Sequence, residues 1–282
     1  MKQLLLVTAS LCLFTMAMAQ KDSTVQNKDT TTRRDTIRIA GRVLVTIVKK
    51  TGKSKSDSST TVEYSVGPKK TANISTNWFI LDLGFNNYTD NTNYASAEAQ
   101  AFSPGATKDR FKLRTGKSVN VNLWLFMQRV NMIQHVVNLN YGLGLEINNY
   151  RYKEDIVFNK NPTSITASSI DYSKNKLAIT YITVPLMLDF NFTPNKTSAN
   201  SFGLSLGVSG GYRYSSHQKV KSSGDGKRKT RDDFDLLSYK LAYVAELKLG
   251  PVRLYGSKAT QSMFDKGLDQ VPYSVGIRFA KW

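Results

Sequence analysis

The residues able to do covalent chemistry are few. Histidine occurs twice, and only His217 has a nucleophile beside it, in the run Ser215-Ser216-His217. A serine next to an imidazole is the raw material of acyl hydrolysis. Such a site also needs an acid to orient the imidazole, and no partner for His217 is evident. His135 falls in a predicted turn, where it is solvated. The single cysteine, Cys12, lies in the leading apolar run after Leu11. A lipoprotein site would want a small residue there, so the mature chain is expected to carry no thiol, disulfide or thiolate-bound metal. No metal-ligand cluster, phosphate-binding glycine loop or nucleotide fingerprint rises above chance, and no cofactor is expected. The chain therefore reads as non-enzymatic. Its alternatives are an outer-leaflet lipid-modifying hydrolase built on His217 and a narrow channel.

Charged side chains offer more than nucleophiles do. Asp82, Glu146, Asp189 and Glu246, with Arg213, Lys240, Lys248 and Arg278, fall on the polar faces of alternating segments. Buried charges are costly unless paired and hydrogen-bonded, so four anions matched by four cations predict a salt-bridged interior. A second group, Lys219, Lys221, Lys227, Arg228, Lys229 and Arg231, crowds six cations into one connection, offset by Asp225, Asp232 and Asp233. It reads either as a solvated mobile loop or as a contact for lipopolysaccharide phosphates or an acidic partner.

The elements that must position these charges are β-strands. Alternation of apolar and polar residues predicts them from residue 77 onward, with side chains pointing to opposite faces in turn. Val137, Leu139, Tyr141, Leu143, Leu145 and Ile147 against Asn138, Asn140, Gly142, Gly144, Glu146 and Asn148 is the cleanest case. In the fourth segment Leu177, Ile179 and Tyr181 have the opposite parity to Val184, Leu186, Leu188 and Phe190, which predicts a bulge near 181–183. The seventh segment, from Pro251 to about Thr260, is poorly patterned. The eighth sets Tyr273, Val275, Ile277 and Phe279 against Ser274, Gly276, Arg278 and Ala280 and ends on Trp282.

Long connections at 89–117, 151–176, 215–234 and 261–270 alternate with short ones at 131–135, 193–200 and 250–251. Outer-membrane barrels alternate long external loops with short periplasmic turns in this way, and an even strand count leaves both termini in the periplasm. The fold class is accordingly all-β, an eight-stranded antiparallel transmembrane barrel over 76–282. Eight strands enclose a lumen that side chains can fill, which favours a plugged barrel over a pore. Trp78, Tyr88, Tyr150, Tyr152, Tyr212, Tyr214, Tyr273 and Trp282 are expected in aromatic girdles. Tyr273, Val275, Ile277, Phe279 and Trp282 are also expected to form the C-terminal signal read by the barrel-insertion machinery.

Residues 1–19 have one cation, an apolar run and the small-residue site Ala17-Met18-Ala19, the anatomy of a cleavable secretory signal. Residues 20–75 are rich in Ser, Thr, Lys and Asp and read as largely disordered, with short strands near 36–48 and 61–66. This periplasmic segment is expected to offer a contact surface to a protein partner. The formal charge of +18 would ordinarily suggest nucleic acid. Export argues against that and leaves outer-membrane lipid and lipopolysaccharide as the acidic partners.

Four stretches carry a family resemblance: Asp82-Leu-Gly-Phe-Asn-Asn-Tyr88, Gly142-Leu-Gly-Leu-Glu-Ile-Asn-Asn-Tyr150, Tyr181-Ile-Thr-Val-Pro-Leu-Met-Leu-Asp189 and Tyr273-Ser-Val-Gly-Ile-Arg-Phe279. With Asp35-Thr-Ile-Arg-Ile39 as a preface, the chain resembles the PorT-like outer-membrane β-barrels of Gram-negative bacteria. The resemblance implies an outer-membrane location and a compact eight-stranded barrel. Through one member it also implies a tie to protein secretion, and it implies no agreed chemistry. The function expected is that of a scaffold or interaction protein of the cell envelope.

Overall fold

The computed structural model describes residues 32–39, 42–51, 58–63, 72–194, 200–224 and 226–280. The leader expected at 1–19, Asp225 and Trp282 lie outside them. Two compact units divide at residues 71 and 72. In the first, β1 (Thr32–Ile39), β2 (Arg42–Thr51) and β3 (Ser58–Glu63) form an antiparallel sheet in that order. The register of β1 on β2 shifts between Ile37 and Arg38.

The second unit begins with β4 (Ile74–Asp90), β5 (Val119–Ile133) and β6 (Val137–Arg151). A short hairpin of β7 (Ile156–Asn159) and β8 (Ser164–Ala167) comes next. Then come β9 (Lys174–Asn191), β10 (Phe202–Ser222), β11 (Gly226–Arg231), β12 (Tyr239–Leu249), β13 (Val252–Ala259) and β14 (Gln270–Phe279). Leaving aside β7, β8 and β11, each strand pairs antiparallel with the next, and β14 pairs back with β4. The result is the closed eight-stranded barrel that the alternation predicts.

Closure sorts side chains by parity. On β9, Ile182, Val184, Leu186 and Leu188 are 39–50% exposed, whereas Thr183, Met187 and Asp189 are at most 3% exposed. Bare aliphatic rows of this kind repeat on β10, β12 and β14 and would be unstable in water; they suit the acyl chains of a bilayer. Tyr212, Tyr214, Tyr239, Tyr243 and Tyr273 stand exposed toward the long-connection end of this band, and Trp78, Phe79, Phe192, Phe202 and Phe279 toward the short-turn end. These are the two girdles. Val275 lies on the outward face between Tyr273 and Phe279, and Val275→Arg should cost about 2–4 kcal/mol by placing a charge near mid-bilayer. Unfolding of the variant in phospholipid vesicles checks this, and wild-type stability would reverse the assignment of the faces.

Several expectations are corrected. The bulge expected at 181–183 is absent: β9 keeps one register with β6 along the barrel. Leu177, Ile179 and Tyr181 face inward like Asp189, because the inside of the barrel turns from polar to apolar above the lumen. Irregularities fall instead between Trp124 and Phe126 and between Asn131 and Ile133 in β5, and between Arg213 and Ser215 in β10. The alternation of Val119, Val121, Leu123, Leu125 and Met127 with Asn120, Asn122, Trp124 and Gln128 predicts Met127 outward, and the first irregularity carries it to the inside. β13 is a regular strand whose Arg253 and Tyr255 point inward. Tyr88, Tyr150 and Tyr152 belong to no girdle; each is buried.

Those three tyrosines join a hydrophobic cap over the long-connection end. Phe102 closes the helix α1 (Ala97–Phe102), whose N-terminus is capped by Ser96 Oγ accepting from the Ala99 N–H at 3.2 Å. With Phe111, Phe158, Ile165, Phe234 and Phe264 it forms one buried cluster. Phe158 meets Phe234 at 5.2 Å and Phe102 meets Phe264 at 5.7 Å between ring centroids. All four long connections thus fold onto one another. Polar staples fix them: Ser103 Oγ donates to the Ile165 carbonyl at 2.7 Å, and Gln218 Nε2 to that of Ile156 at 2.8 Å.

Candidate functional site

Beneath the cap, Arg278 organises the lumen. It comes from β14 directly opposite Asp82 on β4, so the pair spans the seam at which the barrel closes. Its Nε and Nη2 donate to the two Asp82 oxygens at 2.8 and 2.9 Å, the bidentate geometry that suits guanidinium and carboxylate. Its Nη1 donates to Glu246, which also accepts from Arg253 Nη1 at 3.2 Å. Trp124 Nε1 and Asn122 Nδ2 donate to the remaining lone pairs of Asp82 at 2.7 and 3.2 Å.

Two further carboxylates anchor the ends of the lumen. Glu146 accepts from Lys240 Nζ and from Asn148 Nδ2 at 2.9 Å, and Lys240 lies over the Tyr181 ring. Toward the short turns, Asp189 pairs with Arg129 at 3.3 Å and accepts from Ser205 Oγ and Asn138 Nδ2. Asn120 Nδ2 donates to Asn122 and to Asn148, and Tyr255 reaches across to donate to Asn120. A cavity of about 30 Å³ lined by Trp124, Glu146, Glu246, Tyr255 and Arg278 is left, room for a water or two.

The expected network of eight charges is therefore altered in membership. Asp82, Glu146, Asp189, Glu246, Lys240 and Arg278 are in it. Arg213 is not: it donates to the carbonyls of Leu236 and Leu237 and to Ser216 Oγ, tying β10 to the cap. Lys248 is buried, but no carboxylate of the described residues lies within ion-pair distance. Arg129 and Arg253 take part although neither is among the eight expected. The network keeps four anions and four cations, with Arg129 and Arg253 in the places expected of Arg213 and Lys248, and the buried Lys248 stands beside it as a fifth cation. Arg129 lies beyond the β5 irregularity that inverts parity, and Arg253 sits on a strand with only a few alternating residues. Neither carries a clear periodic signal.

Ser216 and His217 are adjacent but face opposite ways. Ser216 is buried inward, donating to the Asp232 carbonyl, whereas His217 points outward across from Ala178 and Arg231. It lies beyond the apolar band, where burial and then Lys229, Lys176, Arg231 and Lys219 push its pKa down to about 4. Acyl transfer would need an imidazolium at this nitrogen base, and the surrounding cations oppose one. Among the described residues no group of three or more His, Cys, Asp or Glu side chains could hold a metal.

The basic connection is not a loose loop. β10 runs on past the band to Ser222 and β11 returns along it, pairing Lys219 with Lys229 and Lys221 with Lys227. Arg231 pairs with His217 on the same outward face, and Arg228 opposes Val220 on the other. Asp232 is held by Lys160 at 3.6 Å.

The model of the outer membrane protein beta-barrel domain matches residues 81–254, more than half of the sequence. The chain belongs to this family. It is thus an outer-membrane β-barrel, and the match begins within β4, spans five whole barrel strands and reaches into β13. Among solved structures the barrel is similar to Ail, the attachment invasion locus protein of Yersinia pestis, at 12% identity. That similarity covers 72% of this chain and 98% of Ail, with a TM-score of 0.30. A mutant porin of Rh. blastica matches at 10% identity, covering 88% of each chain with a TM-score of 0.12. The fold rests on the closed strand pairing and the family match. No curated protein matches the sequence.

Proposed function

We propose that this outer-membrane barrel is a non-enzymatic interaction protein of the Gram-negative envelope that presents its folded cap outside the cell and keeps both termini in the periplasm. The carrying observation is the cap. Long connections that merely closed hairpins would not need a shared aromatic core, whereas a partner-binding surface gains from being preorganised. Below it, ion pairs cross the lumen around a cavity of about 30 Å³, which disfavours the channel reading. His217, facing away from Ser216 and ringed by cations, disfavours the hydrolase. In this reading the sheet β1-β2-β3 offers a periplasmic protein partner its contact surface, and the resemblance to PorT-like barrels connects that side with protein secretion.

Ser223, exposed at the turn between β10 and β11, reports the orientation. A Ser223→Cys protein in intact cells should react with a membrane-impermeant maleimide to the same extent as in lysed cells. Labelling only after lysis would place the cap in the periplasm and end the proposal.

A further inference from the structure

Above the apolar band the outward face of the barrel changes character. On β9 the face that carries Val184 and Ile182 continues through Thr180 and Ala178 to Lys176 and Lys174. On β6 the face of Leu145 and Ile147 continues through Asn149 to Arg151. The pairing then aligns cations across four strands. Arg151 opposes Lys176, Lys176 opposes Lys219, and Lys219 opposes Lys229. In the next row Lys174 opposes Lys221, which opposes Lys227. Rows lie about 7 Å apart and neighbouring strands about 4.8 Å.

No carboxylate occupies a position in either row. Like charges directly opposite each other across strands are destabilising, so the sheet bears a cost here that an anion would remove. Burial and then the repulsion of Lys174, Lys219, Arg151 and Lys229 bring the Lys176 pKa down to about 8. Arg151 donates Nη2 to the Ser173 carbonyl at 2.7 Å, while its buried Nε has no partner. Polar and cationic groups are thus held in place, facing sideways from the barrel just beyond Tyr212 and Tyr214. That is the height at which the headgroups of the surrounding leaflet begin.

The geometry points to a binding surface for the phosphates of lipopolysaccharide in the outer leaflet, formed by Arg151, Lys174, Lys176, Lys219, Lys221 and Lys229. This rests on the orientation proposed above. A phosphorylated glycolipid fits better than a soluble acidic protein, because the rows look along the membrane plane and adjoin the acyl band, where a lipid can meet both with one molecule. The barrel would carry a shell of bound glycolipid, and the extended hairpin of β10 and β11 would be the element that grips it.

The test uses the full-length folded protein in detergent with purified lipopolysaccharide as probe. Lys176→Gln, Lys219→Gln, Lys221→Gln and Lys229→Gln together are compared with a control that removes equal charge from the exposed Lys108, Lys117, Lys153 and Lys266. Each cation at an anionic lipid surface is worth roughly fivefold in affinity, so the fourfold ladder variant should bind several hundredfold more weakly and the control nearly as wild type. Dephosphorylated lipopolysaccharide should lose a comparable factor on the wild-type protein. Should the fourfold variant not fold, as judged by heat-modifiable migration, the Lys176→Gln, Lys219→Gln pair serves the same comparison. Equal weakening in ladder and control variants, undiminished binding of the dephosphorylated glycolipid, or stronger binding of polyglutamate than of lipopolysaccharide would each overturn the assignment. The Ser223→Cys labelling judges orientation independently: tight glycolipid binding in vitro with a periplasmic cap would leave the chemistry standing and sink its placement in the outer leaflet.

Discussion

Replacing Arg278 by alanine should lower the stability of the folded barrel by about 3–5 kcal/mol, the cost of leaving a buried ion pair with one partner. Asp82 is fully buried and Glu246 nearly so, and Arg278 joins them across the seam of β14 and β4. Its loss strips Asp82 of two charge-assisted bonds and leaves it only Trp124 and Asn122, neutral donors that cannot balance a carboxylate. Urea unfolding in phospholipid vesicles, followed by tryptophan fluorescence, measures the change. Adding Asp82→Asn to Arg278→Ala should recover part of the loss, because the second substitution removes the charge that the first left unpaired. Additive effects of the two would mean that the pair is not coupled and that the lumen is wetter than its packing indicates.

Gly84→Val should be as damaging, by about 3 kcal/mol or more, for a steric reason. Gly84 on β4 lies directly opposite Gly276 on β14, with the Tyr255 ring laid over both. A Cβ on Gly84 would stand 2.3 Å from the Val275 carbonyl oxygen and 2.9 Å from Gly276 Cα, backbone atoms that cannot rotate away. Tyr255 would also be pushed off Asn120. The closing seam is therefore the place where side chains are least tolerated. The measurement is the fraction of protein that keeps compact, heat-modifiable migration after refolding, expected to fall to a small residue. By contrast Gly224→Val, at a turn with open space around it, should refold as wild type.

How much of this was legible in the sequence depended on periodicity. A strand with one face in lipid and one in a polar lumen alternates strictly, so the strands around Gly142 and Leu206 could be read residue by residue, and with them Asp82, Glu146, Asp189 and Glu246 as inward anions. Wherever the backbone gained a residue, parity inverted and the reading failed, as at Met127 and Arg129 beyond the first irregularity in β5. The bulge inferred near Tyr181 failed for a different reason. Alternation reports burial rather than backbone geometry, and Leu177, Ile179 and Tyr181 are buried in the cap, whose apolar interior inverts the polarity of the inward face without any change of register. Nothing periodic announced the cap itself. Phe102, Phe158, Phe234 and Phe264 come from four separate connections, each contributing a few apolar residues that find one another only when the barrel brings the loops together.

The basic connection shows the same limit. Composition identified Lys219, Lys221, Lys227, Arg228, Lys229 and Arg231 as a cluster, but Arg151, Lys174 and Lys176 lie far from it in sequence. Only the register of β6, β9, β10 and β11 puts them in the same rows and sends Arg228 to the opposite face.

Conductance in planar bilayers tests most directly the claim that this barrel works through its surface and not through its lumen. Folded, heat-modifiable protein should insert without producing current steps, because the charge network crosses the lumen around a cavity of only about 30 Å³ and the cap closes the end above it. Reproducible unitary steps from the wild-type protein would contradict the account, since they would require a continuous water path where Arg278, Asp82, Glu246 and Tyr255 stand.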